Sequence, residues 1–173
     1  MLGLGYVGLP TAAVLATRGQ RVAGVDLRRD VLDTINAGQI HIVEPELDAL
    51  VRAAVAAGTL RAVPQPVPAR TYLLCVPTPI TPDHRPDLSF VEAAARAIVP
   101  VLQPGALVVL ESTVPPGTLR DLVAPIVCDN LRGGGLVPGR DIFLAHAPER
   151  VLPGAVLREV VENERIVGGL TDA

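Results

Sequence analysis

The pattern Gly3-Leu-Gly5-Tyr-Val-Gly8 constrains the fold of this chain more than any other feature of its sequence. Glycine at the first position permits a tight turn, and at the second it lets backbone approach a pyrophosphate. At the third it lets a helix pack close to a sheet. A diphosphate then sits at a helix N-terminus, where free N–H groups and the helix dipole favour an anion. A glycine-rich turn alone is weak evidence, but its surroundings agree. A helical segment over 9–18 follows at once, then an apolar strand over 21–26, ending in Asp26 at 18 positions after Gly8. The acid that binds the ribose of a dinucleotide is expected about 20 residues on. A carboxylate there repels a 2′-phosphate, so the expected cofactor is NAD, although Arg28 and Arg29 are of the type that holds the phosphate of NADP. The competing reading is a strand-terminal Asp26 that caps the helix beginning at Arg29.

Further β-branched apolar runs at 71–76, 106–110 and 141–145 read as buried strands. Helices are predicted over 29–37, 45–57, 89–102 and 116–131. Continuous runs such as Leu107-Val-Val-Leu110 suit parallel strands covered on both faces. Asp87 or Ser89 is placed to cap the helix over 89–102, and Ser89 with Glu92 three residues later has the form of a capping box. Strand–helix alternation with right-handed crossovers predicts an α/β fold: a Rossmann-type doubly wound, mainly parallel sheet with helices on both faces. One joint departs from that plan. Only Met1 and Leu2 precede Gly3, whereas strands typically run 5–6 residues, so the first, central strand is expected to be largely missing.

Composition narrows the function. The chain has 173 residues, 49% of them apolar and 19% charged, which excludes a disordered chain. A net charge of −3 and only Tyr6, Tyr72, Phe90 and Phe143 as aromatics argue against a nucleic-acid partner. The uncharged opening is broken by glycines and reaches its first charge only at Arg18, unlike a signal peptide or a membrane span. A cytoplasmic protein with no membrane partner is expected. Two cysteines exclude a disulfide scaffold, and His41, His84 and His146 show no metal-ligand spacing, so no metal is expected. All 15 basic residues are Arg. Gly133-Gly-Gly135 reads as a loop, not a second phosphate site.

Three loops follow successive strands at the edge where open α/β sheets bind ligands. They are Val76-Pro-Thr78-Pro79, Glu111-Ser-Thr113-Val-Pro-Pro-Gly117 and Ala147-Pro-Glu149-Arg150-Val151-Leu-Pro-Gly154. Together with the glycine loop, the segment over 35–47 and the segment over 158–169, they resemble the UDP-glucose/GDP-mannose dehydrogenase family. The Pro-Glu-Arg-Val-Leu-Pro-Gly form is similar to the branch acting on UDP-N-acetyl-D-mannosamine. The resemblance implies NAD held by Gly3, Gly5, Tyr6, Val7, Gly8, Asp26, Thr78 and Thr113. It implies Thr113 and Glu149 as a water-positioning catalytic pair, and Arg150 and Val151 as contacts to a UDP-sugar substrate.

It further implies oxidation of the sugar C6 alcohol to a carboxylate with two NAD⁺, through an aldehyde, a cysteine thioester and its hydrolysis. Family members are more than twice as long. A central helical connector supplies a lysine, and a second α/β domain binds UDP and supplies the cysteine. Residues 1–173 are therefore expected to be the NAD-binding N-terminal domain alone, inactive by itself, of a homodimeric protein. Neither Cys75 nor Cys128 suits the nucleophile, since one lies in a strand and the other near a helix end. The alternatives are the same enzyme class acting on UDP-glucose, UDP-N-acetylglucosamine or GDP-mannose, and a stand-alone NAD-binding regulatory module.

Overall fold

The computed structural model describes residues 1–129 and 136–172, and the Gly133–Gly135 loop lies outside them. The elements in chain order are α1 (Gly8–Thr17), β1 (Val22–Val25), α2 (Arg29–Asn36), α3 (Leu47–Ala56), β2 (Leu60–Val63) and β3 (Thr71–Leu74). They continue with α4 (Ser89–Ile98), β4 (Ala106–Leu110), α5 (Ala124–Asp129), β5 (Ile142–His146), α6 (Val156–Glu162) and β6 (Gly168–Gly169). They sort into two compact units, Met1–Pro66 with Arg150–Glu164, and Val67–Glu149 with Arg165–Ala173.

In the first unit β1 and β2 pair in parallel, from Val22 opposite Leu60 to Val25 opposite Val63. On its other side Val25 forms a parallel bridge to Leu2. The Val25 N–H donates to the Met1 carbonyl at 2.8 Å, and the Gly3 N–H donates to the Val25 carbonyl at 2.8 Å. The two residues before the glycine loop thus lie in strand register with β1. Gly24 makes this approach possible, because a Cβ there would stand 2.6 Å from Cδ2 of the fully buried Leu4. Helix α2 buries Val31, Leu32 and Ile35 on one side. Its Asn36 side chain satisfies both backbone groups of Ala62, at 2.9 and 2.8 Å, tying the helix to β2. Helix α6 packs against α1.

The second unit is built on parallel strands β3, β4 and β5, with β6 antiparallel to β5 at the edge. Its core holds Leu74, Val91, Ile98, Val108, Leu110 and Ile142, all fully buried. Three expectations are corrected here. The helix over 89–102 ends at Ile98 and gives way to a 3-10 turn, Val99–Val101, because Pro100 has no N–H to continue the ladder. The Ser89–Glu92 capping box does not form. The other candidate, Asp87, serves this end: its Oδ1 accepts the Ser89 N–H at 2.9 Å, while Glu92 pairs with Arg96 one turn on at 2.7 Å. Hydrogen bonds from Ser89 hold the Asp87 carboxyl below its usual range. Of the helix expected over 116–131, the described residues form a π-helical stretch, Leu119–Val123, followed by α5. Among the described residues no helix is long and apolar enough to cross a membrane.

Candidate cofactor and catalytic sites

The glycine loop leads directly into α1. Gly3 has φ 86°, a conformation that a side chain would strain. Gly5 differs. Its φ is not positive, and a Cβ there would meet nothing within 4 Å, so neither backbone strain nor packing explains a glycine. What a bare backbone does offer is close approach by a ligand. Helix α1 has no side-chain cap at Val7; its Leu9 N–H donates to the Gly5 carbonyl at 3.1 Å, and Pro10 brings no N–H. Tyr6 is exposed and Gly8 is buried at the start of the helix. These residues fit a diphosphate.

Asp26 lies just beyond β1. Its Oδ2 accepts the Leu4 N–H at 3.1 Å, and its Oδ1 accepts the Arg28 N–H at 3.0 Å. The second bond is the local one expected of a residue capping α2. The first crosses 22 residues and fixes the carboxylate against the glycine loop, which capping does not require. Arg28 pairs with Asp30, and Arg29 with Asp33 at 3.2 Å, so both guanidinium groups are engaged by their own helix. Burial pushes the neighbouring His41 imidazole below its usual value, partly offset by the Asp26 charge.

Arg150 and Val151 also belong to this unit. The Arg150 guanidinium donates to the Glu164 carbonyl at 3.0 Å. The loop after them is held by Glu44, a buried carboxylate whose two oxygens accept the N–H groups of Gly154 at 2.8 Å and Val156 at 2.7 Å. Glu44 therefore closes the N-terminus of α6 from far away in sequence, a role its position gives no hint of.

In the second unit, parallel β3, β4 and β5 deliver their C-terminal ends to one rim. There the Thr78 hydroxyl donates to the Thr113 carbonyl at 2.9 Å, and the Ser112 hydroxyl donates to the Val76 carbonyl at 2.8 Å. Two loops singled out from sequence are thus tied together, and the Thr78 hydroxyl keeps only acceptor capacity for a ligand. Glu111 and Glu149 are both buried at this rim. The Glu149 N–H donates to the Glu111 carbonyl at 3.2 Å. The Arg165 guanidinium reaches both carboxylates, donating to Glu111 Oε1 at 3.0 Å and pairing with Glu149 Oε2. On the other side the Cys75 thiol donates to Glu111 Oε2 at 2.9 Å. Burial, and then the Glu111 charge, push this thiol well above its usual value, so it stays protonated and unsuited to nucleophilic attack. Cys128 is buried. Arg165 and Glu111 are the participants that residue-by-residue reading missed, since nothing in their spacing announces a pairing. Among the described residues no group of three His, Cys, Asp or Glu side chains is placed to hold a metal.

The profile of the UDP-glucose/GDP-mannose dehydrogenase family, NAD binding domain, matches residues 1–173. The chain is 56% identical to an NDP-N-acetyl-D-galactosaminuronic acid dehydrogenase of Ralstonia nicotianae, covering 99% of this chain and 41% of that protein. It is 48% identical to the UDP-N-acetyl-D-mannosamine dehydrogenase of Escherichia coli K12, with the same 99% and 41% coverage. Among solved structures, the UDP-N-acetyl-mannosamine dehydrogenase of Staphylococcus aureus superposes with a TM-score of 0.92 at 40% identity, over 98% of this chain and 41% of that one. A ternary complex of GDP-mannose dehydrogenase from Pseudomonas aeruginosa gives 0.87 at 29% identity, over 98% and 40%. The chain thus spans 41% of the length of the curated relatives, and its fold is the Rossmann-type α/β fold expected from sequence.

Proposed function

Because the chain belongs to the UDP-glucose/GDP-mannose dehydrogenase family as its NAD-binding domain, we propose that it is the cofactor-binding part of a nucleotide-sugar 6-dehydrogenase. The observation that carries the site assignment is the Leu4 N–H to Asp26 hydrogen bond, which couples the ribose acid to the diphosphate loop. Gly3, Gly5, Tyr6, Val7 and Gly8 hold the diphosphate, Asp26 the adenosine ribose, and Thr78 and Thr113 the remainder of NAD. When bound, NAD supplies the hydride acceptor. Thr113 and Glu149 orient a water, with the Glu149 carboxylate accepting its proton. Arg150 meets the anionic nucleotide through charge-assisted hydrogen bonds, with Val151 beside it.

The substrate proposed is UDP-N-acetyl-D-mannosamine, oxidised to the uronate with two NAD⁺ as a precursor for polysaccharide. Identity of 48% to the E. coli enzyme supports this reading. The 56% identity to the galactosaminuronic acid enzyme favours, as a second reading, an N-acetylgalactosamine-type nucleotide sugar. The nucleophilic cysteine belongs to another domain of the full-length protein, a cytoplasmic homodimer, because the Cys75 thiol is held protonated and Cys128 is buried.

Calorimetry with NAD and NADP tests the cofactor site in residues 1–173. NAD is expected to bind roughly tenfold or more tightly than NADP, and Asp26→Ala to erase the preference. Equal or tighter binding of NADP by the wild type overturns the assignment. NADH formation by the full-length protein against a panel of UDP-sugars decides the substrate, and residues 1–173 alone should form none.

A further inference from the structure

We propose that Arg165 is a positioning residue of this reaction, its guanidinium fixing the Glu149 carboxylate against Glu111 at the C-terminal rim of β3, β4 and β5. The inference rests on the reading of Glu149 as the water-orienting base and adds the group that aims it.

The topology explains how Arg165 arrives. Strand β6 runs antiparallel to β5, with Gly168 opposite His146, so the chain entering β6 passes the rim where the parallel strands end. There one nitrogen of the Arg165 fork meets Glu111 Oε1 at 3.0 Å and the other meets Glu149 Oε2. The guanidinium is 25% exposed, and the two carboxylates are 5% and 3% exposed.

Stability is a poor explanation for this cluster. Desolvating three charges offsets most of their attraction, and well-packed apolar residues in their place are often as stable or more so. Geometry offers a better one. Glu111 is held on both oxygens, by the Cys75 thiol and by Arg165, so it sets the angle of the guanidinium. The Glu149 backbone is bonded to the Glu111 carbonyl, and Arg165 restricts its side-chain torsions. His146 stands apart, its Nε2 3.3 Å from the Ser112 carbonyl. A base must stand within hydrogen-bond reach of its proton, and a misplacement of about 1 Å costs roughly a hundredfold in rate.

The test is steady-state kinetics of the full-length dehydrogenase carrying Arg165→Lys, Arg165→Gln, Arg165→Ala or Glu149→Gln, with the Arg165→Gln/Glu149→Gln double variant. Lysine keeps the charge but lacks the fork. Each single variant is expected to lower kcat roughly ten- to a hundredfold, with KM for NAD unchanged. The double variant should lose no more than Glu149→Gln alone, since the two act as a unit. Added guanidinium should restore part of the kcat of Arg165→Ala, which it cannot do for a misfolded protein. Wild-type kcat in Arg165→Lys and Arg165→Gln, or losses that multiply in the double variant, would overturn the inference while Glu149→Gln stays impaired. A fully active Glu149→Gln would instead remove the reading of Glu149, and the role of Arg165 with it.

Discussion

Gly24→Ala measures how tightly β1 holds the cofactor loop. The added Cβ would lie 2.6 Å from Leu4 Cδ2, 3.0 Å from Cδ1 and 3.3 Å from Cγ. Real contacts are near 3.5–4.0 Å, so Leu4 must retreat, and Leu4 is fully buried. Overpacking of this kind costs about 1–3 kcal/mol. Against it stands the gain of about 0.4–1 kcal/mol from replacing a flexible glycine where the backbone allows it. The φ of Gly24 is not positive, so that gain applies. The net expectation is a loss of about 1–2 kcal/mol. For a chain of this size each kcal/mol moves the melting temperature by about 2–4 °C, so thermal unfolding should drop by about 2–8 °C. Because the Leu4 N–H donates to Asp26, displacement of Leu4 should also weaken NAD binding, read by calorimetry. Leu4→Ala, which is destabilising alone, should cost less in the Gly24→Ala background, because the clash vanishes with the leucine tip. A melting temperature equal to or above wild type would show that Leu4 moves freely, and would refute the account of why position 24 is glycine.

Asp26→Asn keeps one acceptor oxygen and loses the charge, so NAD affinity should fall roughly tenfold or more by calorimetry, with a smaller loss for NADP. Glu44→Gln turns an amide towards the N–H of Gly154 or Val156. It should cost about 1–3 kcal/mol by thermal unfolding, and an unchanged melt would contradict the clasp. The His41 imidazole is lowered from 6.5 by burial, so its contribution to stability is present above that value and fades as pH falls. The melting temperature of wild type should therefore decline between pH 7 and pH 5 more than that of His41→Gln. The Cys75 thiol is raised well above 9.0 by burial and by Glu111, so its contribution is present below that value and lost as pH rises. Iodoacetamide at pH 8 should alkylate Cys75 in urea but not in the native chain, as mass spectrometry would show.

Much of this architecture is legible in the sequence because local pattern and tertiary role coincide. The strand over 106–110 is continuous, β-branched and buried, and the structure gives Ala106–Leu110. The glycine loop, α1 and β1 follow from spacing alone. Strand β2 escaped notice because Leu60-Arg-Ala-Val63 is short, carries a charge and alternates only over four residues. Helix α6 escaped for another reason: it has seven residues, and a carboxylate more than a hundred positions earlier satisfies its first turn. The cluster of Cys75, Glu111, Glu149 and Arg165 is equally invisible locally, because each member comes from a different strand end. Even the Thr78 hydroxyl, expected to serve the cofactor, donates instead to the Thr113 carbonyl.

The link from Glu44 to Gly154 and Val156 bears on how the polypeptide matures. The first unit is discontinuous: its opening 66 residues are completed by Arg150–Glu164. As the ribosome releases the chain, α1 has no α6 to cover it and Glu44 faces water until more than a hundred further residues emerge. The intervening unit consists mostly of one uninterrupted stretch, Val67–Glu149, to which Arg165–Ala173 is added, and has the lower loop-closure cost. Vectorial synthesis therefore favours the second unit condensing first, with the glycine loop's own unit sealed late by a returning helix.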